Sequence, residues 1–200
     1  MTEGRRLVSG TIDVEAEASI AAAAAGVAEV GPVDLVIVAT GLLQDDQVAP
    51  EKSYRQLSAG SLERYFAVNA TGPALVAKHF IPLLRKDRAA VFAALSARVG
   101  SISDNRLGGW YGYRASKAAL NMIVRTLSIE LARTHPKAAC VALHPGTVAT
   151  RLSEPFRRAV PADKLFTANA SAVYLLDVIS GLGAHDSGQV FGWDAEVIAP

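Results

Sequence analysis

The sequence predicts an α/β fold, a doubly wound parallel sheet with helices on both faces. Three observations carry this expectation. Apolar runs of strand length alternate with longer helical patterns along the chain, and such alternation builds right-handed βαβ units. The runs are continuously apolar rather than alternating, as strands buried on both faces are. The chain has 200 residues, 50% of them apolar and 20% charged, enough for one domain with a substantial core.

Taken in order, Ala18–Glu29 reads as a helix, with the alanine run Ala21–Ala25 inside it, alanine being the strongest helix former. Leu35–Ala39 is the first buried strand. Ser61–Leu84 follows as one long helix, with Ser61 as its N-cap and Pro82 disturbing its last turn. Ala89–Leu95 is the next strand. Tyr113–Arg133 is the longest helix, ended by His135-Pro136. Ala138–Leu143 is a third strand, and Ala170–Ile179 is a helix stopped by Gly181. Gln189–Trp193 is a shorter fourth strand, entered through Ser187-Gly188.

Composition excludes several function classes. Twenty Lys and Arg against 19 Asp and Glu leave a net charge of +1, which supplies no field to hold nucleic acid or an anionic membrane. The most apolar stretch, Val33–Leu43, carries Asp34 and has about half the length of a membrane span. The first residues lead into no signal-peptide core. The single cysteine, Cys140, permits no internal disulfide and fits a reducing compartment, so a cytoplasmic location is expected. His79, His135, His144 and His185 show no metal-ligand spacing, and no metal is expected.

In a doubly wound sheet, ligands sit beyond the carboxyl ends of the strands. After Ala89–Leu95 comes Ser96-Ala97-Arg98-Val99-Gly100-Ser101-Ile102, then a Gly-rich loop with Gly108, Gly109 and Gly112. Tyr113 and Lys117 open the next helix, four residues apart and so on one face. An ammonium beside a phenol favours the phenolate, lowering a Tyr pKa from about 10 toward neutrality. A serine hydroxyl at a nearby strand end could hold a substrate oxygen beside the pair. Together these groups suit carbonyl–alcohol interconversion.

These residues resemble the short-chain dehydrogenase/reductase family, close to its C-factor-like branch. Tyr113-Arg-Ala-Ser-Lys117-Ala-Ala-Leu-Asn121 is similar to the family's Tyr-x-x-x-Lys helix. Val68-Asn69-Ala-Thr-Gly72 is similar to its Asn motif, and Pro145-Gly146-Thr147-Val148-Ala149-Thr150 to its Pro-Gly-x-Val-x-Thr turn. Asp13-Val14 resembles the pair near the adenine, and Ser187–Asp194 the C-terminal strand of the branch. The resemblance spans essentially the whole chain. It implies a Rossmann-like fold and NAD or NADP as cofactor. It implies a proton relay from Tyr113 through Lys117 to Asn69, with Lys117 also holding the nicotinamide ribose. Cofactor contacts would come from Asp13, Val14, Gly41, Tyr113, Lys117, Pro145, Gly146, Thr147, Val148 and Thr150. The partner would be a small carbonyl or alcohol substrate, under a lid over Arg151–Lys164. In relatives the long helices often form a four-helix subunit interface, which implies a homo-oligomer through residues 61–84 and 113–133.

The sequence departs from the family pattern in three places. Relatives near this branch carry Ser-Ser before Arg-x-Gly-Ser-Ile, the second serine being catalytic, where this chain has Ser96-Ala97. Ser96 is the candidate to orient the substrate if the strand end shifts by one residue, although such a shift reverses the facing of a side chain. Ser101 and Ser103 are weaker substitutes. After the strand Leu35–Ala39 the family's Asn-Asn-Ala-Gly is Val38-Ala39-Thr40-Gly41, which keeps only the glycine. No Gly-x-x-x-Gly-x-Gly phosphate loop precedes Asp13, which has 12 residues before it. The expected domain is therefore residues 1–200 without the first two strands and the phosphate loop, shorter by about one βαβ unit, with cofactor binding weakened or lost. The family's third strand would fall near Leu7–Ile12. Either it moves inward to pair with Leu35–Ala39, or residues 1–13 are displaced, or another chain covers the exposed edge. Two further readings follow from the departures. One is a non-catalytic interaction or signalling protein on this fold. The other is an inactive fragment of a longer enzyme.

Overall fold

A computed structural model describes residues 7–154, 156–157 and 160–200. Four parallel strands form the main sheet, β1 (Leu35–Val38), β2 (Ala90–Leu95), β3 (Ala138–His144) and, after two short strands, β6 (Val190–Gly192). Their spatial order is β1-β2-β3-β6. The central pair runs in register from Ala90 opposite Ala138 to Leu95 opposite Leu143. The short strands β4 (Thr147–Val148) and β5 (Leu165–Phe166) pair with each other, directly after the carboxyl end of β3.

Continuous apolar runs are explained by cover on two sides. Phe92, Ala94, Cys140 and Ala142 point to one face, where α1 (Glu17–Ala28), α3 (Gly72–Phe80) and α4 (Tyr111–Thr134) bury Ile20, Ala77, Phe80, Leu120 and Val124. Val91, Ala93, Val141 and Leu143 point to the other face, against Leu175, Val178 and Ile179 of α5 (Ala168–Gly181). Alternation within each strand thus feeds two cores at once. This is the doubly wound, Rossmann-like architecture expected from the sequence.

Two expectations are corrected. Leu7–Ile12 forms no strand, and Leu7 is 94% exposed; the rest of the expected N-terminal segment, Met1–Arg6, lies outside the described residues. The chain instead turns into α1, with Ser19 Oγ accepting the Asp13 N–H at 2.9 Å. Among the described residues β1 is therefore an edge strand. Its Leu35 and Ile37 stay 38% and 41% exposed, because α5 covers only the strands beyond it. The second correction concerns the long helix expected over Ser61–Leu84. It is broken into α2 (Ala59–Phe66), a π-helical turn (Ala67–Thr71), α3 and a 3₁₀ turn (Ile81–Leu83). Ser58, not Ser61, caps α2, its Oγ accepting the Ser61 N–H at 3.1 Å. The break puts a wide turn at Asn69, as π turns often do at functional sites.

The 3₁₀ turn Arg98–Gly100 after β2 packs on α4 so closely that no side chain fits at Gly100. A Cβ there would lie 2.9 Å from both the carbonyl carbon and the Cβ of Lys117, which are not free to move away. Gly100→Ala should lower the unfolding free energy by about 1–3 kcal/mol, the usual cost of overpacking. Urea denaturation checks this, and an unchanged midpoint would mean that α4 yields without cost. No described helix is long and apolar enough to cross a membrane.

Candidate active site

The carboxyl ends of β1, β2 and β3 converge on the first turns of α4, where Tyr113, Lys117, Asn69 and Gly41 come together. Tyr113 is 8% exposed and packs edge-on against Tyr65 and Trp110, with centroids 6.4 and 6.2 Å away. Lys117 is 3% exposed; its Nζ donates to the Leu95 carbonyl at 2.8 Å and lies 5.9 Å from the Tyr113 ring centroid. Gly41 faces the same point, since a Cβ built on it would lie 3.6 Å from Lys117 Nζ and 3.8 Å from Asn69 Oδ1.

Asn69 is fully buried. Its Oδ1 accepts the Leu42 N–H and its Nδ2 donates to the Leu42 carbonyl, both at 2.8 Å. A further bond, 3.1 Å long, runs from Nδ2 to Ser116 Oγ. One side chain therefore ties the loop after β1 to α4, a tie that neither Ala39 nor Thr40 supplies.

The expected lowering of the Tyr113 pKa is corrected. Burial pushes the phenol up to about 12 and the Lys117 ammonium down to about 8. Desolvation penalises both charged forms and outweighs an ammonium that sits over the ring face and bonds a carbonyl. At neutral pH Tyr113 is a phenol with a proton to give. A stability consequence follows for Lys117. Its folded value lies below the ordinary 10.5, so between pH 8 and 10.5 the unfolded chain binds more protons and stability rises with pH. Cys140 and Tyr113, both pushed up by burial to about 12 from 9.0 and 10.0, act in the opposite sense above pH 9 and 10. The difference in unfolding free energy between the parent chain and Lys117→Met isolates the lysine. It should grow in the parent's favour by about 2 kcal/mol from pH 8 to 10. A pH-independent difference would contradict the burial of the charge.

Ser96 and Ala97 separate as their alternation requires. Ser96 Oγ donates to Asn121 Oδ1 at 2.7 Å and is 4% exposed, while Ala97 joins the apolar cluster of Tyr113, Tyr65 and Leu43. The methyl of Ala97 thus stands beside Tyr113, and the Ser96 hydroxyl is already engaged on α4. Ser101 and Ser103 both bond the Pro200 carbonyl.

Several residues here carried no mark in the sequence. Glu51 is 3% exposed and accepts the Gly112 N–H through Oε2 at 3.1 Å, while its carbonyl accepts the Trp110 N–H. A carboxylate at a helix N-terminus complements the free N–H groups and the dipole. The Glu51 carbonyl holds Trp110 in a left-handed conformation, φ 54°, unusual for so bulky a residue. Tyr65 OH donates to the Leu43 carbonyl at 2.8 Å. A glutamate in a polar loop reads as surface, and only the fold shows it buried.

The opposite wall is the segment Pro145–Thr150. Gly146 has φ +73°, and a Cβ there would lie 2.6 Å from Phe166 Cε2, so the turn admits only glycine. Ser171 Oγ holds the Pro145 carbonyl at 2.9 Å. A cavity of about 710 Å³ lies between this wall and Tyr113, bordered by Ala39, Leu95, Thr147, Val148 and Thr150. Two buried polar atoms at strand ends have no partner, Thr40 Oγ1 and His144 Nδ1. Glycine approach, orphaned donors and apolar walls fit the nicotinamide and ribose of a dinucleotide. Asp13 and Val14 lie apart from the cavity lining; the Asp13 carboxylate accepts the Glu15 N–H at 2.9 Å and the Val14 carbonyl packs against Gly72. Of the expected lid, Pro155, Arg158 and Ala159 lie outside the described residues, while Phe156 stacks on Trp110 at 4.9 Å.

Comparisons with known proteins agree with this fold. A sequence model of the short chain dehydrogenases matches residues 1–161. The C-signal protein of Myxococcus xanthus is 35% identical over 164 residues, 82% of this chain and 90% of that protein. The 1-hydroxy-2-glutathionyl-2-methyl-3-butene dehydrogenase of Rhodococcus sp. strain AD45 is 32% identical over 180 residues, 89% of this chain and 74% of that enzyme. The NADPH-bound carbonyl reductase from chicken fatty liver superposes with a TM-score of 0.81 at 29% identity, over 94% of this chain and 75% of that one. The chain therefore belongs to the short-chain dehydrogenase/reductase family of oxidoreductases, in its C-factor-like branch.

Proposed function

We propose that this chain interconverts carbonyls and alcohols with NAD(H) or NADP(H), using Tyr113 as the proton donor and acceptor. One observation carries the reading: Tyr113, Lys117 and Asn69 meet at the strand ends beside a cavity whose far wall is the Gly146–Val148 turn. The nicotinamide, when bound, supplies or accepts the hydride. Gly41, Pro145, Gly146, Thr147, Val148 and Thr150 would hold its half of the dinucleotide, with Lys117 at the ribose.

In the reducing direction Tyr113 Oη gives its proton to the substrate oxygen as the carbonyl carbon gains hydride. The phenol is protonated at neutral pH because burial holds its pKa high. Lys117, brought down to about 8, stands close to the pH at which it can pass a proton onward. Asn69 continues the relay and keeps the loop after β1 against α4. Ser96 has no part in this scheme, since its hydroxyl is bonded to Asn121.

The non-catalytic reading rested on Ala97 and the missing phosphate loop. The intact Tyr113–Lys117–Asn69 geometry favours catalysis, as do relatives named as a dehydrogenase and a carbonyl reductase. Calorimetric titration with NADPH and NADH tests the reading, together with carbonyl-dependent consumption of either. Absence of both binding and turnover would overturn it.

A further inference from the structure

We propose that the cavity before Tyr113 selects carbonyl or alcohol substrates that carry a carboxylate or similar anion on an apolar body, the anion being held by Arg106 and Arg98. This deepens the function proposed above and rests on it for the reaction but not for the binding.

The cavity before Tyr113 carries an unbalanced set of charges. Among the described residues three arginines line it, Arg98, Arg106 and Arg114, against one acid, Asp104. Arg114 is committed to structure, its Nε donating to the Gly109 carbonyl at 3.0 Å and its Nη1 to the Val99 carbonyl at 3.3 Å. Arg98 reaches Asp104 only loosely, at 3.6 Å, with both side chains about half exposed. Arg106 forms no ion pair or hydrogen bond among the described residues. Asp104 can neutralise at most one of the two remaining guanidiniums, so the cavity keeps an uncompensated positive charge. His144 adds none, because burial first, and then Arg98, hold its imidazole neutral down to about pH 4, with Asp194 acting the other way.

Apolar side chains, among them Leu107, Trp110, Phe156 and Val160, share the lining with the arginines and with hydroxyls such as Thr147 and Thr150. An arginine fork suits a carboxylate because two parallel N–H groups meet its two oxygens. All three arginines lie between β2 and the first turn of α4, whereas the proposed cofactor contacts lie after β1 and β3. The positive charge therefore belongs to the substrate end of the cavity rather than to the dinucleotide.

The test needs no cofactor. The full chain is titrated by calorimetry with phenylpropanoate and with its neutral amide, phenylpropanamide. The carboxylate should bind about tenfold tighter, the yield of one charge-assisted hydrogen bond over a neutral one. Arg106→Ala should remove most of that preference and Arg106→Lys should restore part of it. Tyr113→Phe should leave the preference in place. Equal binding of the two ligands, or binding of neither, overturns the proposal. So does displacement of the carboxylate by inorganic pyrophosphate at equal affinity, which would assign the arginines to the phosphates of the cofactor. A carboxylate preference without dinucleotide binding or turnover would instead sink the proposed reaction and leave this inference standing.

Discussion

Tyr113→Phe should reduce carbonyl turnover by about 10²–10⁴-fold, the usual contribution of a positioned acid–base group, while leaving the fold intact. The substitution removes one oxygen from a ring that is held by other means. That ring packs edge-on between Tyr65 and Trp110, and its hydroxyl makes no hydrogen bond among the described residues. Loss of the oxygen therefore leaves no buried partner unsatisfied, and the thermal midpoint should move little. In the proposed reaction the missing proton donor shows in kcat, because there the phenol at the cavity wall meets the developing alkoxide. Dinucleotide affinity should change less than turnover, since Lys117 and the Gly146 turn are untouched. Steady-state kinetics and thermal denaturation of the pair check this. A variant with unimpaired turnover would take Tyr113 out of proton transfer and revive the non-catalytic reading.

Ala97→Ser should act in the opposite direction, raising kcat/KM by about 10²-fold or more. A preorganised hydroxyl aimed at a developing oxyanion contributes about 2.7–4 kcal/mol in comparable sites. Position 97 is suited to receive one. Its backbone is extended, φ −152° and ψ 146°, which turns Ser96 toward Asn121 and the side chain of residue 97 toward Tyr113. A serine adds a single oxygen to a site that borders the cavity rather than the closed core. It would also cap the 3₁₀ turn Arg98–Gly100, so stability should hold. Measured kcat/KM for one aldehyde, parent against variant, reads the effect. Unchanged turnover would place the substrate oxygen away from residue 97.

Much of this was legible in residue order. Leu-Val-Ile-Val at 35–38 and Ala-Ala-Cys-Val-Ala-Leu at 138–143 are too continuously apolar for anything but strands, and they are strands, although only the second is buried throughout. Tyr113 and Lys117 share a face because four residues make about one helical turn. Ala97, read as occupying the serine position, does stand beside Tyr113, and Gly41 does face the lysine. The misreadings have physical causes. Leu7–Ile12 has strand composition but pairs with no described strand, and a strand without a ladder is not a strand. Residues 61–84 have helical composition throughout, yet tertiary contacts at Asn69 widen one turn and split them.

Periodicity, spacing and ordered motifs by themselves determined the fold class, the strand ends that carry the candidate site and the identity of the proposed acid–base pair, because these depend on local geometry that repeats wherever the pattern recurs. Tertiary structure alone decided the direction of the Tyr113 and Lys117 pKa shifts, because desolvation is a property of everything packed around a group. It alone buried Glu51 against the start of α4, engaged the Ser96 hydroxyl with Asn121 and brought Arg98 and Arg106 to the lining of one cavity. Each of these is a relation between distant segments, and a linear pattern holds no record of which segments will meet.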